Sequence, residues 1–129
     1  MSQYGFGKIL ADTTLEQARP RVTEALKAEG FGVLTEIDLA ATLRAKLGAE
    51  HRPYVILGAC NPVLANQAVG LDPEIGLLLP CNVILREVDG GTQVSMIDPQ
   101  AMFGVMEGDT LQPIADEAEA RLRRALAAL

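Results

Sequence analysis

Over residues 3–11 apolar positions alternate with small or polar ones. Tyr4, Phe6 and Leu10 fall on one side, and Gly5, Gly7 and Ile9 on the other. This two-residue period predicts a first strand, its glycines marking a bulge or the close approach of another backbone. The period then lengthens. Leu15, Ala18, Val22, Ala25 and Leu26 recur at helical spacing, after Thr13 and Glu16 as a capping box and before Gly30 as the C′ residue. Pro20 inside that helix predicts a kink, or a regular part displaced downstream.

Residues 31–37 read as a second strand. Asp38 caps a short helix with Leu39, Leu43 and Leu47 on one face, ended by Gly48. The unbroken apolar run 54–60, bounded by Pro53 and Pro62, predicts a buried third strand. Asn61 as N-cap and Pro62 at the first helical position open another helix, which Gly70 ends, and Asp72-Pro73 starts a single further turn. A fourth strand, beginning between Leu78 and Cys81 and ending at Val88, returns through Asp89-Gly90-Gly91 into a fifth over 92–97. Leu111, Ile114, Ala115, Ala118, Leu122, Ala125, Leu126 and Leu129 form one helical stripe, with acids near its start and arginines near its end.

The late hairpin and the short middle helices argue against a parallel α/β sheet. The pattern predicts one domain over 1–129 of the α+β class: a two-layer fold with a mainly antiparallel sheet of about five strands, covered by two long helices, with short helices in the middle connections.

Charge narrows the partners. The chain has 17 acidic and 11 basic side chains, a net charge of −6. Seven of the acids (Asp72, Glu74, Glu87, Asp89, Asp98, Glu107 and Asp109) lie in residues 61–109, against Arg86 as the base there. Phosphate backbones need clustered Lys and Arg, so a nucleic-acid partner is not expected. No run reaches the length of a membrane span, and MSQYGFGKIL lacks the features of a secretory leader; the expectation is a cytoplasmic protein with no membrane partner.

The candidate chemistry gathers around the two cysteines, in A-C-N-P (59–62) and P-C-N-V (80–83). If the third and fourth strands are antiparallel neighbours, Cys60-Asn61 and Cys81-Asn82 meet at one corner of the sheet, just upstream of a helix N-terminus. Such a setting can lower a thiol pKa or hold an anion. Cys60, Asn61, Cys81 and Asn82, with Asp98 after the fifth strand, are the candidate ligand-binding residues, and Cys60 is the candidate catalytic thiol. Core packing and helix capping are the competing readings for each. Cys60 and Cys81 alone are too few for zinc within one chain, although two copies could share a site. His51 reads as an exposed loop residue, Glu36 and Asp38 as an acid pair or a cap, and Met96, Met102 and Met106 as core or as an adaptable pocket. No dinucleotide, phosphate-loop, nucleophile-elbow or zinc-protease motif is present, so no cofactor is assigned.

GFGVLTEID (30–38), KLG (46–48), PYVILGACNP (53–62), DPEIGLLLPCNVILRE (72–87) and MIDP (96–99) together resemble the bacterial and archaeal "domain of unknown function 302" family. The resemblance covers almost the whole chain. It implies a TBP-like β-α-β4-α fold and a homodimer, and makes Cys60, Asn61, Pro62, Leu79, Pro80, Cys81 and Asn82 motif positions without assigning them a role. Three functional readings stand: a module binding a small-molecule ligand at the cysteine corner, a thiol-dependent redox or nucleophilic enzyme using Cys60, and a metal site shared between subunits.

Overall fold

The computed structural model describes residues 3–106 and 108–129. Met1 and Ser2 of the leading segment, and Glu107 of the central acids, lie outside the described residues. The strands are β1 (Gly5–Ala11), β2 (Gly32–Asp38), β3 (Tyr54–Cys60), β4 (Cys81–Val88) and β5 (Gly91–Ile97). The helices are α1 (Leu15–Ala28), α2 (Leu39–Leu47), α3 (Pro62–Leu71), α4 (Pro99–Phe103) and α5 (Gln112–Ala127), with a 3₁₀ turn over Pro73–Leu78. The strands form one antiparallel sheet in the order β1-β5-β4-β3-β2. This is the two-layer α+β arrangement that the hydrophobic pattern predicts.

The alternation along the strands decides what each face meets. Leu10, Val55, Leu57, Ala59, Cys81, Val83, Leu85, Val94 and Met96 point to one side. There they pack on Leu15, Ala18, Val22 and Leu26 of α1 and on Ala118, Leu122 and Ala125 of α5. A second, smaller cluster of Ala68, Ile75, Phe103, Leu111, Ile114 and Ala115 lies under α3 and the start of α5.

Local signals set the helix ends, sometimes one residue away from their predicted place. The capping box of α1 uses Thr14 and Gln17, not Thr13 and Glu16: Gln17 N donates to Thr14 Oγ1 and Thr14 N to Gln17 Oε1. Thr13 Oγ1 donates instead to the Ala11 carbonyl. At the other end Phe31 N donates to Leu26 O and Gly30 N to Lys27 O, the paired bonds of a Schellman ending, with Gly30 at φ 84°. The helix runs through Pro20 rather than starting beyond it. Gly70 lies inside α3, which closes at Asp72. In α2 the predicted leucine stripe is not buried: Leu47 is 75% exposed and Ala40 is the buried residue. Helix α4, which Asp98-Pro99 starts, is an addition to the predicted elements.

The glycines of β1 mark close backbone approach. A Cβ on Gly7 would stand 2.2 Å from the Val94 carbonyl oxygen, and one on Gly5 2.1 Å from that of Met96. No helix among the described residues is long and apolar enough to cross a membrane.

Candidate functional site

The cysteine corner forms where β3 ends and β4 begins. Antiparallel pairing sets Ala59 opposite Cys81 and Gly58 opposite Asn82. Cys60 is therefore one position out of register with Cys81, opposite Gly32 of β2. With a two-residue period, Cys81 shares the helix-covered face with Ala59, and Cys60 follows Gly58 and Ile56 toward the other face. The corner exists, but its two thiols leave the sheet in opposite directions. Both cysteines are free; Cys81 is buried and Cys60 partly so. Both residues border a cavity of about 30 Å³, walled also by Phe31, Leu64, Met102 and Ile114. That is room for about one water molecule.

The polar members of the corner hold local structure. Asn61, 7% exposed, accepts from Leu64 N at 3.1 Å and caps α3. Asp98 accepts from Gln100 N at 2.9 Å and caps α4. Asn82 is exposed on the face away from α1 and α5. Burial, with a smaller push from Cys60, raises the Cys81 thiol to about 11. At pH 8 only about one Cys81 in a thousand is then a thiolate, the form that attacks electrophiles. Iodoacetamide at pH 8 is accordingly expected to label Cys60 first, and to reach Cys81 only at the rate of global unfolding. Peptide mass mapping against time checks this order, and equal labelling rates would contradict the burial assigned to Cys81.

A larger concavity, of about 790 Å³, opens at the opposite end of the sheet. Its walls come from the start of α1 (Thr14, Glu16, Arg19), the β4–β5 turn (Asp89, Gly90) and the segment leading into β3 (Arg52, Pro53). Asp12, at φ 51°, also lines it. Arg52 donates to Asp89 Oδ1 at 2.9 Å and to Glu87 Oε1 at 3.1 Å, and the two carboxylates hold its guanidinium protonated. Arg19 Nε lies 2.8 Å from Glu36 Oε1, at an angle too poor for a hydrogen bond. Glu36 thus faces α1, while Asp38 accepts from Ala41 N and caps α2, so the two do not act as an acid pair.

Sequence reasoning passed over this groove. It weighed His51, which is exposed, and not its neighbour Arg52. Arg52 reaches Glu87 and Asp89 because β3 and β4 pair with Tyr54 opposite Arg86. The hairpin turn was legible, but the strand register that brings Arg52 beside it was not.

A third concavity, of about 370 Å³, lies between the end of α3 and the start of α5. Gln100 beside it donates to Asp116 at 2.7 Å and to Glu119 at 3.2 Å. The Arg123 guanidinium, with help from Gln100, holds the Glu119 carboxyl below its ordinary range. Met96 is core, while Met102 and Met106 pack at the margins of the clusters. No group of three His, Cys, Asp or Glu side chains suited to a metal ion occurs among the described residues.

Comparison with known proteins gives a family and no activity. No curated protein matches the chain. Among solved structures, an uncharacterized conserved DUF302 protein from Bacillus stearothermophilus is 30% identical, covers 98% of both chains and superposes with a TM-score of 0.89. The family model "Domain of unknown function DUF302" matches residues 8–129. With both sequence and fold in agreement over nearly its full length, the chain belongs to the DUF302 family.

Proposed function

We propose that this DUF302 domain is a binding module for a small organic cation, seated in the groove between the start of α1 and the β4–β5 turn. The observation that carries the reading is the groove's size and charge together. Small-molecule sites commonly enclose roughly 300–1,000 Å³, and this groove offers about 790 Å³. Asp12, Glu16, Asp38, Glu87 and Asp89 line it against Arg19 and Arg52, and both arginines already face carboxylates. A cationic ligand fits that excess of negative charge, with Leu15 and Val55 supplying apolar contact. At the opposite corner, ligand contact rests on Cys60 and Asn82, since Asn61 and Asp98 serve as caps and Cys81 lies in the core.

Titration of the isotopically labelled protein with putrescine is expected to shift the backbone resonances of Asp12, Glu16 and Gly90 saturably. Asp12→Asn with Glu16→Gln is expected to weaken that binding about tenfold, the effect of losing roughly 1.4 kcal/mol. Shifts that are absent up to millimolar putrescine, or unchanged in the double variant, would remove the groove from the proposal.

A thiol reaction at Cys60 is the second reading, favoured by its partial exposure immediately before the α3 N-cap. A Cys60 that alkylates no faster than an unperturbed thiol, with half-maximal rate near pH 8.5, would rule against it.

A further inference from the structure

The acids of the groove beside the β4–β5 turn are in two different states. Glu87 and Asp89 are engaged by the chain's own cation: Arg52 Nη1 donates to Asp89 Oδ1 at 2.9 Å and Arg52 Nη2 to Glu87 Oε1 at 3.1 Å. Asp12 and Glu16, which line the same groove, form no ion pair with another described residue. Both pairs gather around one turn, since Asp12 N donates at 2.8 Å to the carbonyl of Gly90, the residue after Asp89.

Backbone bonds fix the first pair of carboxylates. Glu87 N donates to Pro53 O at 2.9 Å, which ties the end of β4 to the segment carrying Arg52. The Arg52 side chain lies over them half exposed, and Asp89 is fully exposed. Exposed ion pairs of this kind gain little, because water screens them and a long side chain gives up rotamer freedom. Such a pair exchanges readily for a cation that brings further contacts of its own. Its geometry also shows what the acceptors select. Two N–H groups of one planar fork reach two different carboxylates, an arrangement built into a guanidinium and lacking in an ammonium, whose donors rotate about a point charge.

We infer that Arg52 is an internal stand-in for the ligand's head, and that the groove takes a guanidinium compound whose head displaces Arg52 from Glu87 and Asp89. The inference rests on the groove being the binding site, and it deepens that reading by naming the class of cation and the residue that guards the site. The incoming guanidinium makes the two bonds that Arg52 gives up, so net affinity comes from the rest of the ligand. An amine at its far end meets Asp12 and Glu16, and the methylenes between contact Leu15 and Val55. Docked Arg52 lowers the apparent affinity by the fraction of chains in which the subsite is free; occupied about nine-tenths of the time, it weakens binding about tenfold.

Agmatine and putrescine test this, because they share an alkyl chain and one amine and differ at the other end, guanidinium against ammonium. Dissociation constants are read from the backbone shifts of Asp12, Glu16 and Gly90 in the wild type and in Arg52→Ala, with circular dichroism checking that the variant is folded. Arg52→Ala is expected to bind agmatine about tenfold more tightly than the wild type does, and to gain no more than about threefold for putrescine, the share due to one removed positive charge. In the wild type, agmatine is also expected to shift the Arg52 side-chain Nε resonance as that guanidinium leaves its carboxylates. Equal gains for the two ligands would reduce Arg52 to a background charge and overturn the inference, leaving the groove as a cation site. Agmatine bound no more tightly by Arg52→Ala than by the wild type, with putrescine still bound, would overturn it in the same way. If neither ligand shifts the groove resonances of either chain up to millimolar concentration, the groove reading itself falls and the inference with it.

Discussion

Leu122→Ala is expected to destabilise the protein by about 3 kcal/mol and to lower its melting temperature by about 10 °C. Leu122 is fully buried in the middle of the α5 stripe, between Ala118 and Ala125. It faces a core built from Val22 and Leu26 of α1 and Val83, Leu85 and Val94 of the sheet. Its neighbours on α5 are alanines, which cannot extend into the space a lost isobutyl group leaves, and the β-branched valines have few alternative rotamers. The cavity therefore stays largely open, and the transfer and cavity terms both count. Urea titration should move the midpoint without changing the slope. Leu47→Ala, at a residue 75% exposed, is the control and should change stability by less than about 0.5 kcal/mol. If the two variants lose equal stability, α5 does not seal the core as described.

Gly58→Val should cost at least about 3 kcal/mol, for a reason that comes from β2 and the β4 approach rather than from the helices. A Cβ at position 58 would stand 2.2 Å from Thr35 Oγ1 and 2.8 Å from Pro80 Cγ. The side of β3 between the two cysteine segments is thus closed by Thr35 and Pro80, and Gly58 is buried although it lies on the face without α1 and α5. Alanine is the gentler probe. Gly58→Ala is expected to lose about 2 kcal/mol, and Thr35→Ala in the same chain to recover part of it, because one obstacle is removed and Pro80 remains. A double-mutant cycle in chemical denaturation measures the coupling. Strict additivity of the two substitutions would mean that Thr35 does not restrict this position.

These two sites divide the molecule according to what a one-dimensional pattern can carry. The α5 stripe, the continuous run of β3, the Asn61-Pro62 and Asp38 caps and the Asp89-Gly90 turn all depend on residues a few positions apart, so they are legible along the chain. The one-residue slip from Thr13 to Thr14 at the α1 cap shows how far such reading reaches. Both threonines can accept the capping bond, and the β1 ending, where Thr13 Oγ1 turns to Ala11 O, decides between them.

By itself the sequence determined the two-layer α+β class, the identity of the strands and their succession along the chain, and the family motifs around Cys60 and Cys81. Hydrophobic period and local capping chemistry suffice for those. Tertiary structure decided the register, and with it everything that depends on facing direction. Because side chains alternate across a sheet, the single-residue offset that places Ala59, not Cys60, opposite Cys81 leaves Cys81 in the core and Cys60 only partly buried. The same pairing carries Arg52 to Glu87 and Asp89 and aligns Ile37, Ile56 and Ile84 in one row. Contacts between residues some thirty positions apart depend on how strands slide past one another, and that choice is made by the packing of the whole sheet on α1 and α5.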